Sequence, residues 1–264
     1  MRIIITGGCG YIGSALAVHL QAAGHDVMTL DRVGPADFPV DYREFGAMDY
    51  AKFDAIIHLA GHSSVAACAA EPLQAVQNNL TSFIKWTRKL HGQKLLWASS
   101  SSVLSTASRN IYDATKRAAE AIIPEIYPNS YALRFGTVCG VSPKMRWDLM
   151  LNKMAASAYT DGIVRVSNPQ VHRPILAMRD LCAAVNMLVD HEAPGSVWHL
   201  ATGNSTVGAL ARATANHFKA EIVQDAPSPT YDFHMYPTEW PDTFPKESIA
   251  SILQDLDAQM GHRA

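Results

Sequence analysis

The feature that most constrains the fold is a glycine-rich turn close to the start of the chain. A short apolar run, Ile3–Ile5, leads into Thr6–Gly13, which reads TGGCGYIG and contains the pattern G-x-G-x-x-G from Gly8. Glycine permits a tight turn and close backbone approach to a diphosphate, whose charge the N-terminus of a following helix stabilises. We therefore expect a strand, a turn and a helix that bind a dinucleotide. The residues expected to line this site are Gly7, Gly10, Tyr11, Ile12 and Gly13.

Apolar runs alternate with helical stripes from this turn to about Leu200, which is the pattern of a parallel sheet covered by helices. We predict an α/β fold with a doubly wound parallel sheet of the Rossmann type. A dinucleotide-binding domain is expected over residues 1–140, with a returning strand near 197–200, and a reduced substrate-binding region over 141–264. The predicted strands are Ile3–Thr6, Val27–Leu30, Ala55–Leu59, Leu95–Ser99, Tyr131–Arg134 and Val197–Leu200.

Composition and charge exclude several other classes of function. The 264 residues carry 22 Lys and Arg against 24 Asp and Glu, a net charge of -2, so no surface for nucleic acid is expected. No apolar run approaches the roughly 20 residues of a membrane span, and glycines interrupt any signal peptide, which favours a cytoplasmic protein without a membrane partner. The four cysteines are widely scattered, so we expect reduced thiols and no metal site.

Acidic residues after the second predicted strand indicate which dinucleotide is bound. Asp31 ends that strand 18 residues after Gly13, where a carboxylate is expected to accept the ribose hydroxyls of NAD. The same carboxylate would repel the 2′-phosphate of NADP, whereas the adjacent Arg32 would attract it; we favour NAD. Asp41 has two interpretations, a hydrogen bond to the adenine amine and an ordinary loop acid.

A tyrosine and a lysine four residues apart form the candidate acid–base pair. In the sequence YDATK, Tyr112 and Lys116 lie on one face of a predicted helix. A phenol has an ordinary pKa of about 10, and a neighbouring ammonium favours its ionised form. Upstream, a predicted strand opens into Ser99–Ser102, whose hydroxyls can bind the same substrate oxygen. Tyr112 is expected to take the proton of a substrate hydroxyl while the adjacent carbon passes a hydride to the nicotinamide.

With these residues in one chain, the sequence resembles the extended short-chain dehydrogenase/reductase family, in its NAD-dependent nucleotide-sugar epimerase/dehydratase branch. The resemblance covers roughly residues 1–210. Besides the glycine turn, Asp31, the serine run and the Tyr–Lys pair, it rests on four further blocks. These are His58–Gly61, Asn78–Asn79, Leu133–Gly140 and His172–Ile175.

The resemblance implies roles for several more residues. Asn79 holds a loop or the cofactor phosphates, unless it caps a helix. The catalytic serine precedes the valine of the family's V-Y-G sequence by three residues, which indicates Ser100; strand alternation does not separate it from Ser101, a candidate substrate contact. The helices near residues 73–91 and 112–126 are expected to form a homodimer. The implied cofactor-lining residues are Leu59, Ala60 and Gly61.

Arg173, in the sequence VHRPI, is a candidate clamp for the diphosphate of a substrate. A guanidinium fork matches two phosphate oxygens, and the family carries a phosphate-binding arginine in this segment. A surface ion pair with Asp180 is the alternative.

After residue 220, prolines alternate with aromatic residues as far as Pro245, in either a surface loop or the wall of a substrate cleft.

Together these features favour an NAD-dependent epimerase that acts on a nucleotide-activated sugar through a transient ketone. An NAD(P)-dependent sugar dehydrogenase or keto-sugar reductase would use the same residues, and a non-catalytic cofactor-binding protein is the remaining alternative. Family 4,6-dehydratases carry an Asp-Glu pair where this chain has Ser101 and Ser102, which disfavours dehydration. The expected partners are therefore NAD and a nucleotide-sugar substrate.

Overall fold

The structure is a computed structural model that describes residues 1–105, 110–190, 196–228, 230, 232–238 and 246–261; for residues 47, 48 and 196 it describes the backbone alone. Contacts divide the chain into two compact units. The first comprises Met1–Arg134 and Ala184–Trp198, and the second comprises Phe135–Ala183 and His199–Ala264. By this division the first unit ends at Arg134 and takes up the chain again at Ala184. The domain bounds expected from the sequence, 1–140 and 141–264, stay a prediction.

The helices and strands follow one another in an alternating order along most of the described chain. The strands are β1 (Arg2–Thr6), β2 (Asp26–Leu30), β3 (Ala55–His58), β4 (Lys94–Ser100), β5 (Ser130–Phe135), β6 (Thr137–Cys139), β7 (Ile163–Val166), β8 (His172–Ala177), β9 (Ser196–Leu200), β10 (Gly203–Thr206) and β11 (Glu221–Gln224). The helices are α1 (Tyr11–Ala22), α2 (Ala47–Tyr50), α3 (Val65–Ala70), α4 (Pro72–Val76), α5 (Ser82–Thr87), α6 (Ile111–Ile126), α7 (Met150–Asp161), α8 (Met178–Val189), α9 (Val207–Phe218) and α10 (Ile249–Gly261). A π-helical segment, Gln77–Thr81, joins α4 to α5, and a 3-10 turn, Ser101–Leu104, follows β4.

The central sheet has six strands in the order β2-β1-β3-β4-β5-β9. β1 pairs in parallel with β2 on one side and β3 on the other, so the strand order reverses at β1. In open α/β sheets, ligands bind beyond the carboxyl ends of the strands at such a reversal. All six predicted strands are present, each within one residue at either end, and the predicted doubly wound α/β fold is confirmed.

Burial on both faces explains why the central strands read as continuous apolar runs. Ile3, Ile4 and Ile5 in β1 are all completely buried. Between β2 and β3 the chain forms only the short helix α2 and a single bridge to β2, in agreement with the irregular sequence there. That segment nevertheless contributes to the core, because the Tyr42 ring packs edge-on against Trp86 at a centroid distance of 5.4 Å.

The second unit contains two small sheets, of order β10-β8-β6 and β11-β7. β6 and β8 are parallel, β10 runs antiparallel to β8, and β11 is parallel to β7. Helices α7, α9 and α10 pack their apolar faces against these strands around one core. Cys139 lies in this core, where burial raises the pKa of its thiol to about 12, as expected for a packing residue.

The composition also raised the questions of membrane spans, disulfides and metal sites. Among the described residues, none of the helices has the length and apolar character needed to cross a bilayer. None of the four cysteines, all of which lie in described segments, forms a disulfide. The described segments contain no group of three His, Cys, Asp or Glu side chains that could hold a metal ion.

Candidate active site

The glycine turn connects β1 to α1 at the carboxyl end of the central sheet. Gly7 adopts a left-handed backbone with φ of 74°, and its N–H donates to the carbonyl of Leu30 in β2 at 2.9 Å. The Gly10 N–H then donates to the Gly7 carbonyl at 3.1 Å, which closes the turn. Gly10 is the N-cap of α1 and has no side chain that could cap the helix. The N-terminus of α1 therefore supplies backbone N–H groups and a partial positive charge to an anion.

Glycine is required in this turn because the backbone segments approach closely. A Cβ atom on Gly7 would lie 2.9 Å from the backbone nitrogen of Ala60, just after β3. A Cβ atom on Gly13 would lie only 2.2 Å from the Gly7 carbonyl oxygen. Both distances are far below a van der Waals contact, so side chains would force the turn open. This close-packed cradle fits the diphosphate of a dinucleotide, and it brings the predicted Leu59–Ala60 segment against Gly7.

Asp31 lies directly after β2, and its carboxylate reaches back to the glycine turn. Its Oδ2 accepts a hydrogen bond from the backbone N–H of Cys9 at 3.1 Å, and its Oδ1 accepts one from the N–H of Val33 at 3.3 Å. The neighbouring Arg32 is exposed. The acid and the turn, 18 residues apart in sequence, are thus brought together as expected of a site for a ribose and its diphosphate.

Asp41 makes the contacts of a loop acid. Its Oδ1 accepts from the Nε of Arg43 at 2.7 Å, and its Oδ2 accepts from another guanidinium nitrogen of Arg43 at 2.6 Å. These hydrogen bonds from Arg43 lower the pKa of Asp41 below its ordinary value. Arg43 thus donates to both carboxylate oxygens of Asp41. An adenine amine could hydrogen-bond to Asp41, as predicted, only at an oxygen that already accepts from Arg43.

Asn79 lies inside a helix rather than at its end, so it is not a cap. It belongs to the π-helical segment and is buried. Its Oδ1 accepts from the N–H of His62 at 2.8 Å, and its Nδ2 donates to the carbonyl of His62 at 3.1 Å. The side-chain amide therefore clamps the backbone immediately after Gly61, the last of the three predicted cofactor-lining residues of that loop.

His58, at the end of β3, belongs to the core. Its ring stacks on Phe83 and Trp86 at centroid distances of 4.5 and 4.7 Å, and Nδ1 lies 2.7 Å from the hydroxyl of Thr6. Burial lowers the pKa of His58 to about 3, which keeps the ring neutral at physiological pH. The side chain supports the end of the sheet, next to the glycine turn.

The structure separates the two serine candidates by their accessibility. Ser100, the last residue of β4, is partly accessible, whereas Ser101 and Ser102 are buried in the 3-10 turn. The Ser100 Oγ accepts from the backbone N–H of Ser102 at 3.2 Å and so caps the turn. Ser100 is therefore the serine better able to reach a substrate, and the burial of Ser101 weakens its predicted substrate contact.

Tyr112 and Lys116 lie on the first turns of α6, which packs against β4. The Lys116 Nζ donates to the carbonyl of Ala98 in β4 at 2.6 Å and lies 5.9 Å from the centre of the Tyr112 ring. Burial, chiefly, lowers the pKa of Lys116 to about 8, so the ammonium remains the main form at neutral pH. A positive charge next to the phenol favours its ionisation.

A polar cluster beside this pair, in which Ser99 is buried and Glu120 and Arg134 are half-buried, was not anticipated from the sequence. The Glu120 carboxylate, on α6, accepts from the Arg134 guanidinium at 2.9 and 2.6 Å and from the Ser99 hydroxyl at 2.5 Å. The ion pair ties α6 to β5, and the hydrogen bond from Ser99 ties it to β4. Asp113, between Tyr112 and Lys116, is also buried and hydrogen-bonded. The pattern Asn110-x-x-Asp113 at the start of α6 is a capping signal that could have drawn attention to it.

Arg173 belongs to the second unit, on strand β8. One guanidinium nitrogen donates to the carbonyl of His172 at 2.8 Å, another donates to the hydroxyl of Thr230, and the group lies over the ring of Phe233. Arg173 lines a cavity of about 350 Å³ together with Lys153 and other residues of the same unit. Arg165 and Asp225, which form an ion pair at 3.1 Å, line the same cavity, so its lining carries more cations than acids.

The alternative partner of Arg173, Asp180, is engaged elsewhere. Its buried carboxylate accepts from the hydroxyl of Thr202 at 2.5 Å and from the backbone N–H of Glu247 at 3.1 and 3.2 Å. The ion pair considered from the sequence is therefore not formed between these two described residues.

Much of the segment rich in proline and aromatic residues, including Tyr231, Trp240 and Phe244, lies outside the described residues.

The glycine cradle, the acid after β2 and the Tyr–Lys pair on α6 define a Rossmann-type protein with a candidate dinucleotide site and a candidate acid–base pair. The chain belongs to the NAD dependent epimerase/dehydratase family, which matches residues 3–201. The resemblance read from the sequence blocks is thereby confirmed, and with it the assignment to a family of NAD-dependent enzymes.

Of three similar proteins, two carry names that give a reaction, and these two reactions differ. Protein CapI of Staphylococcus aureus is 27% identical, and the match covers 75% of this chain and 72% of CapI. A UDP-glucose 4-epimerase of Klebsiella pneumoniae is 34% identical over 32% of this chain and 76% of the relative. In fold, the chain is similar to TunA, an NAD-dependent NDP-hexosamine 5,6-dehydratase of tunicamycin biosynthesis, with a TM-score of 0.84, 22% identity and 98% coverage of both chains.

Proposed function

We propose that this protein is an NAD-dependent epimerase that inverts a hydroxyl-bearing carbon of a nucleotide-activated sugar through a transient ketone. The observation that carries the proposal is the Tyr112–Lys116 pair on α6, in the same unit as the glycine cradle and Asp31. The cradle suits a dinucleotide, and the pair suits proton exchange with a hydroxyl group. A cofactor site together with an acid–base pair is what we expect in a member of a family of NAD-dependent enzymes.

The residues that would hold NAD fit its separate parts. The backbone of Gly7, Gly10 and the N-terminus of α1 suits the diphosphate, and Asp31 suits the adenosine ribose. The Leu59–Gly61 loop, held by Asn79, adjoins this cradle. NAD bound by these residues would supply a nicotinamide ring that can take up a hydride and give it back. Because Asp31 would repel a 2′-phosphate, we assign NAD rather than NADP as the preferred cofactor.

Tyr112 is assigned the proton transfer. Its phenolate accepts the proton of the substrate hydroxyl as the carbon is oxidised, and the phenol returns it when the ketone is reduced on the opposite face. Lys116, held by the Ala98 carbonyl, stabilises the phenolate by its charge. Ser100 contacts the same substrate oxygen. For epimerisation, the sugar ring has to rotate between the two steps while its nucleotide part stays bound.

Arg173 is assigned the substrate diphosphate. Its guanidinium is fixed by Thr230 and the His172 carbonyl. Lys153 and Arg165 add two more cations to the cavity, and Asp225, the ion-pair partner of Arg165, adds one acid. A preorganised, charged fork matches two phosphate oxygens and loses little entropy on binding. Remote binding of this kind would hold the nucleotide while the sugar reacts.

Epimerisation is favoured over the other reactions of the family by the serine run. Dehydration at neighbouring carbons needs an acid and a base beside the ketone, and the residues after Ser100 are the hydroxyls of Ser101 and Ser102. A net dehydrogenase or keto-sugar reductase would use the same three groups and differ only in releasing the cofactor in its other oxidation state. The likeness to TunA, at 22% identity, bears on the fold and not on the reaction.

The test is incubation of the purified protein with NAD and a panel of sugar nucleotides that includes UDP-glucose, UDP-N-acetylglucosamine and UDP-glucuronic acid. Epimerisation is expected to yield an isomer of equal mass, separated by chromatography, without net absorbance from NADH. Net NADH would indicate the dehydrogenase, and loss of water in the mass spectrum would indicate a dehydratase. NAD binding by calorimetry without any product across the panel would favour the non-catalytic alternative.

We also propose that the protein is a homodimer and that it is cytoplasmic. Several apolar side chains of the first unit are exposed on α4 and α6, and Leu73 is 85% exposed. Such a surface suits a second copy of the chain. Light scattering on the wild type and on Leu73→Lys tests the dimer, which the charged side chain is expected to weaken. A monomeric wild type would contradict it.

A further inference from the structure

The proposed mechanism needs Lys116 as an ammonium ion, although the surroundings of this side chain oppose the charge. Its Nζ atom donates to the Ala98 carbonyl at 2.6 Å, and a carbonyl accepts this bond without supplying a full negative charge. Burial lowers the pKa of Lys116 to about 8, while two groups, Cys68 and Glu120, act in the opposite direction. Because burial disfavours an ammonium ion, a nearby anion is needed to keep the proton on Lys116 at neutral pH.

Cys68, on α3, does not supply this anion. Its side chain is completely buried, and burial raises the pKa of its thiol, which is therefore neutral at physiological pH. Asp113, three residues before Lys116 on α6, accepts from the Ser102 hydroxyl at Oδ1 and from the Asn110 amide at Oδ2. Both oxygens of that acid are thus engaged by other donors. Of the two groups that favour the lysine charge, the anion is therefore the carboxylate of α6.

The period of α6 places Glu120 in this role. Tyr112, Lys116 and Glu120 are spaced four residues apart, so they follow one another along one face of the helix. The Glu120 side chain is only 9% exposed, and the Ser99 hydroxyl donates to it at 2.5 Å. Ser99 adjoins Ala98, so the lysine and the glutamate are anchored to neighbouring residues of β4. The carboxylate is therefore held in place one turn from the ammonium group.

Arg134, on β5, limits the reach of this negative charge. Its guanidinium donates to both carboxylate oxygens of Glu120, at 2.9 and 2.6 Å. Glu120 lies two helical turns from Tyr112, about 12 Å along the axis, whereas Lys116 lies one turn from each of them. The carboxylate therefore favours the charge of the lysine with little repulsion of a phenolate.

We propose that Glu120 is a positioning residue whose carboxylate holds Lys116 in the ammonium form, so that the lysine charge is present beside Tyr112 at neutral pH. The use of this charge rests on the proposed function, in which Lys116 stabilises the phenolate. A purely structural role is the competing interpretation, in which the ion pair of Glu120 only ties α6 to the sheet. The charged and titratable groups around Lys116 are His58 of β3, Cys68 of α3, Tyr112, Asp113 and Glu120 of α6, and Arg134 of β5.

Two variants break the ion pair from opposite sides and separate these interpretations. Glu120→Gln removes the negative charge, whereas Arg134→Met removes the positive charge and leaves the carboxylate next to Lys116. The tie between helix and sheet is lost in both, so a structural role predicts the same response of the lysine in each. The charge predicts that the pKa of Lys116 falls by about one unit in Glu120→Gln, the effect of one opposite charge weakened by its ion pair, and does not fall in Arg134→Met.

NMR of protein labelled in its lysine side chains reads this pKa without any turnover. The Lys116 signal is identified by its absence in Lys116→Met, and its Cε chemical shift is followed from about pH 6 to about pH 11. The midpoint is expected near pH 8 in the wild type, about one unit lower in Glu120→Gln, and at or above the wild-type value in Arg134→Met. Glu125→Gln, which alters an exposed acid of the same helix, is the matched control and should leave the midpoint unchanged. An unchanged midpoint in Glu120→Gln, or an equal fall in Arg134→Met, would overturn the proposal.

Replacement of both charges keeps the proposal testable if Glu120→Gln does not fold. The double variant Glu120→Met with Arg134→Met removes the two members of the pair together, and apolar replacement of a whole buried ion pair is commonly tolerated. The pKa of Lys116 is again expected to fall by about one unit, because the carboxylate is gone. A wild-type midpoint in the double variant would overturn the proposal.

Turnover distinguishes a failure of this inference from a failure of the proposed function. On a sugar nucleotide that the wild type converts, the alkaline decline of kcat in Glu120→Gln is expected at a pH about one unit lower, in step with the NMR midpoint. A decline that does not move would overturn the link between Glu120 and the proton transfer. If no sugar nucleotide is converted, the proposed function fails, and the NMR titration still decides whether Glu120 holds the lysine charge.

Discussion

The pKa of Lys116 leads to a quantitative prediction about stability, tested with Lys116→Met. Burial lowers the pKa of this side chain from its ordinary 10.5 to about 8 in the folded protein. Below pH 8 the lysine is charged in both the folded and the unfolded state, and the folded state bears the full cost of burying the ammonium. Above pH 8 the folded protein loses this proton before the unfolded chain does, so the cost falls and the wild type becomes more stable.

The size of this effect follows from the two pKa values. They predict that Lys116 adds about 2 kcal/mol to the free energy of unfolding between pH 7 and pH 9.5. Because the side chain is partly accessible, water screens the charge and reduces the expected gain to about 1 to 2 kcal/mol. Methionine has a similar length and does not titrate, so Lys116→Met should lack this gain altogether.

The assay is urea unfolding of both proteins at pH 7 and pH 9.5. The stability of the wild type relative to Lys116→Met is expected to increase by about 1 to 2 kcal/mol over this interval, since the titrations of groups remote from Lys116 are common to both proteins and cancel. Lys85→Met, which changes an exposed lysine on α5, is the control and should show a difference that does not depend on pH. A pH-independent difference for Lys116→Met would refute the depressed pKa.

Three further predictions concern the proposed site. Tyr112→Phe should leave folding and NAD affinity intact and reduce turnover by about 10² to 10⁴, the usual contribution of a positioned acid–base group; wild-type turnover in this variant would contradict the assigned base. Asp31→Ala should weaken NAD binding in calorimetry by the loss of charge-assisted hydrogen bonds worth about 1.5 to 3 kcal/mol each, and should relax discrimination against NADP. Arg173→Ala should lower kcat/KM for the sugar nucleotide by about two powers of ten or more with NAD affinity unchanged, and Arg173→Lys should recover only part of it, because an ammonium lacks the fork. Equal kcat/KM in wild type and Arg173→Ala would contradict the proposed role of Arg173 in binding the substrate diphosphate.

Strands of the central sheet were predictable because burial acts on them uniformly. A parallel strand covered on both faces needs an unbroken apolar run, and Ile3–Ile5 and Ala55–His58 are such runs. The sequence of the second unit shows no comparable apolar runs, and its strands were not predicted; the segment His172–Ile175 was singled out only for Arg173. β10, for example, is Gly203–Thr206, all half-buried and without an apolar residue, and only its pairing with β8 makes it a strand.

The same contrast appears among the site residues. The Tyr112–Lys116 pair was predictable because one helix places residues four apart on one face. For Asp41, the sequence left two interpretations open, and the contact with Arg43 became visible only in the folded chain. For the serine run, alternation along a strand did not separate neighbouring hydroxyls, whereas the 3-10 turn after β4 buries Ser101 and leaves Ser100 accessible.

By itself, the sequence determined the glycine turn, the acid that follows the second strand and the helix with its candidate acid–base pair. These features depend on steric limits and periodicities that act over a few residues. Only the tertiary structure decided that Asp113 is buried against Ser102, eleven residues away, and that Thr230 fixes Arg173 from a segment far along the chain. Such contacts depend on how whole elements pack, and a carboxylate in a helical sequence looks the same whether it meets water or a buried hydroxyl.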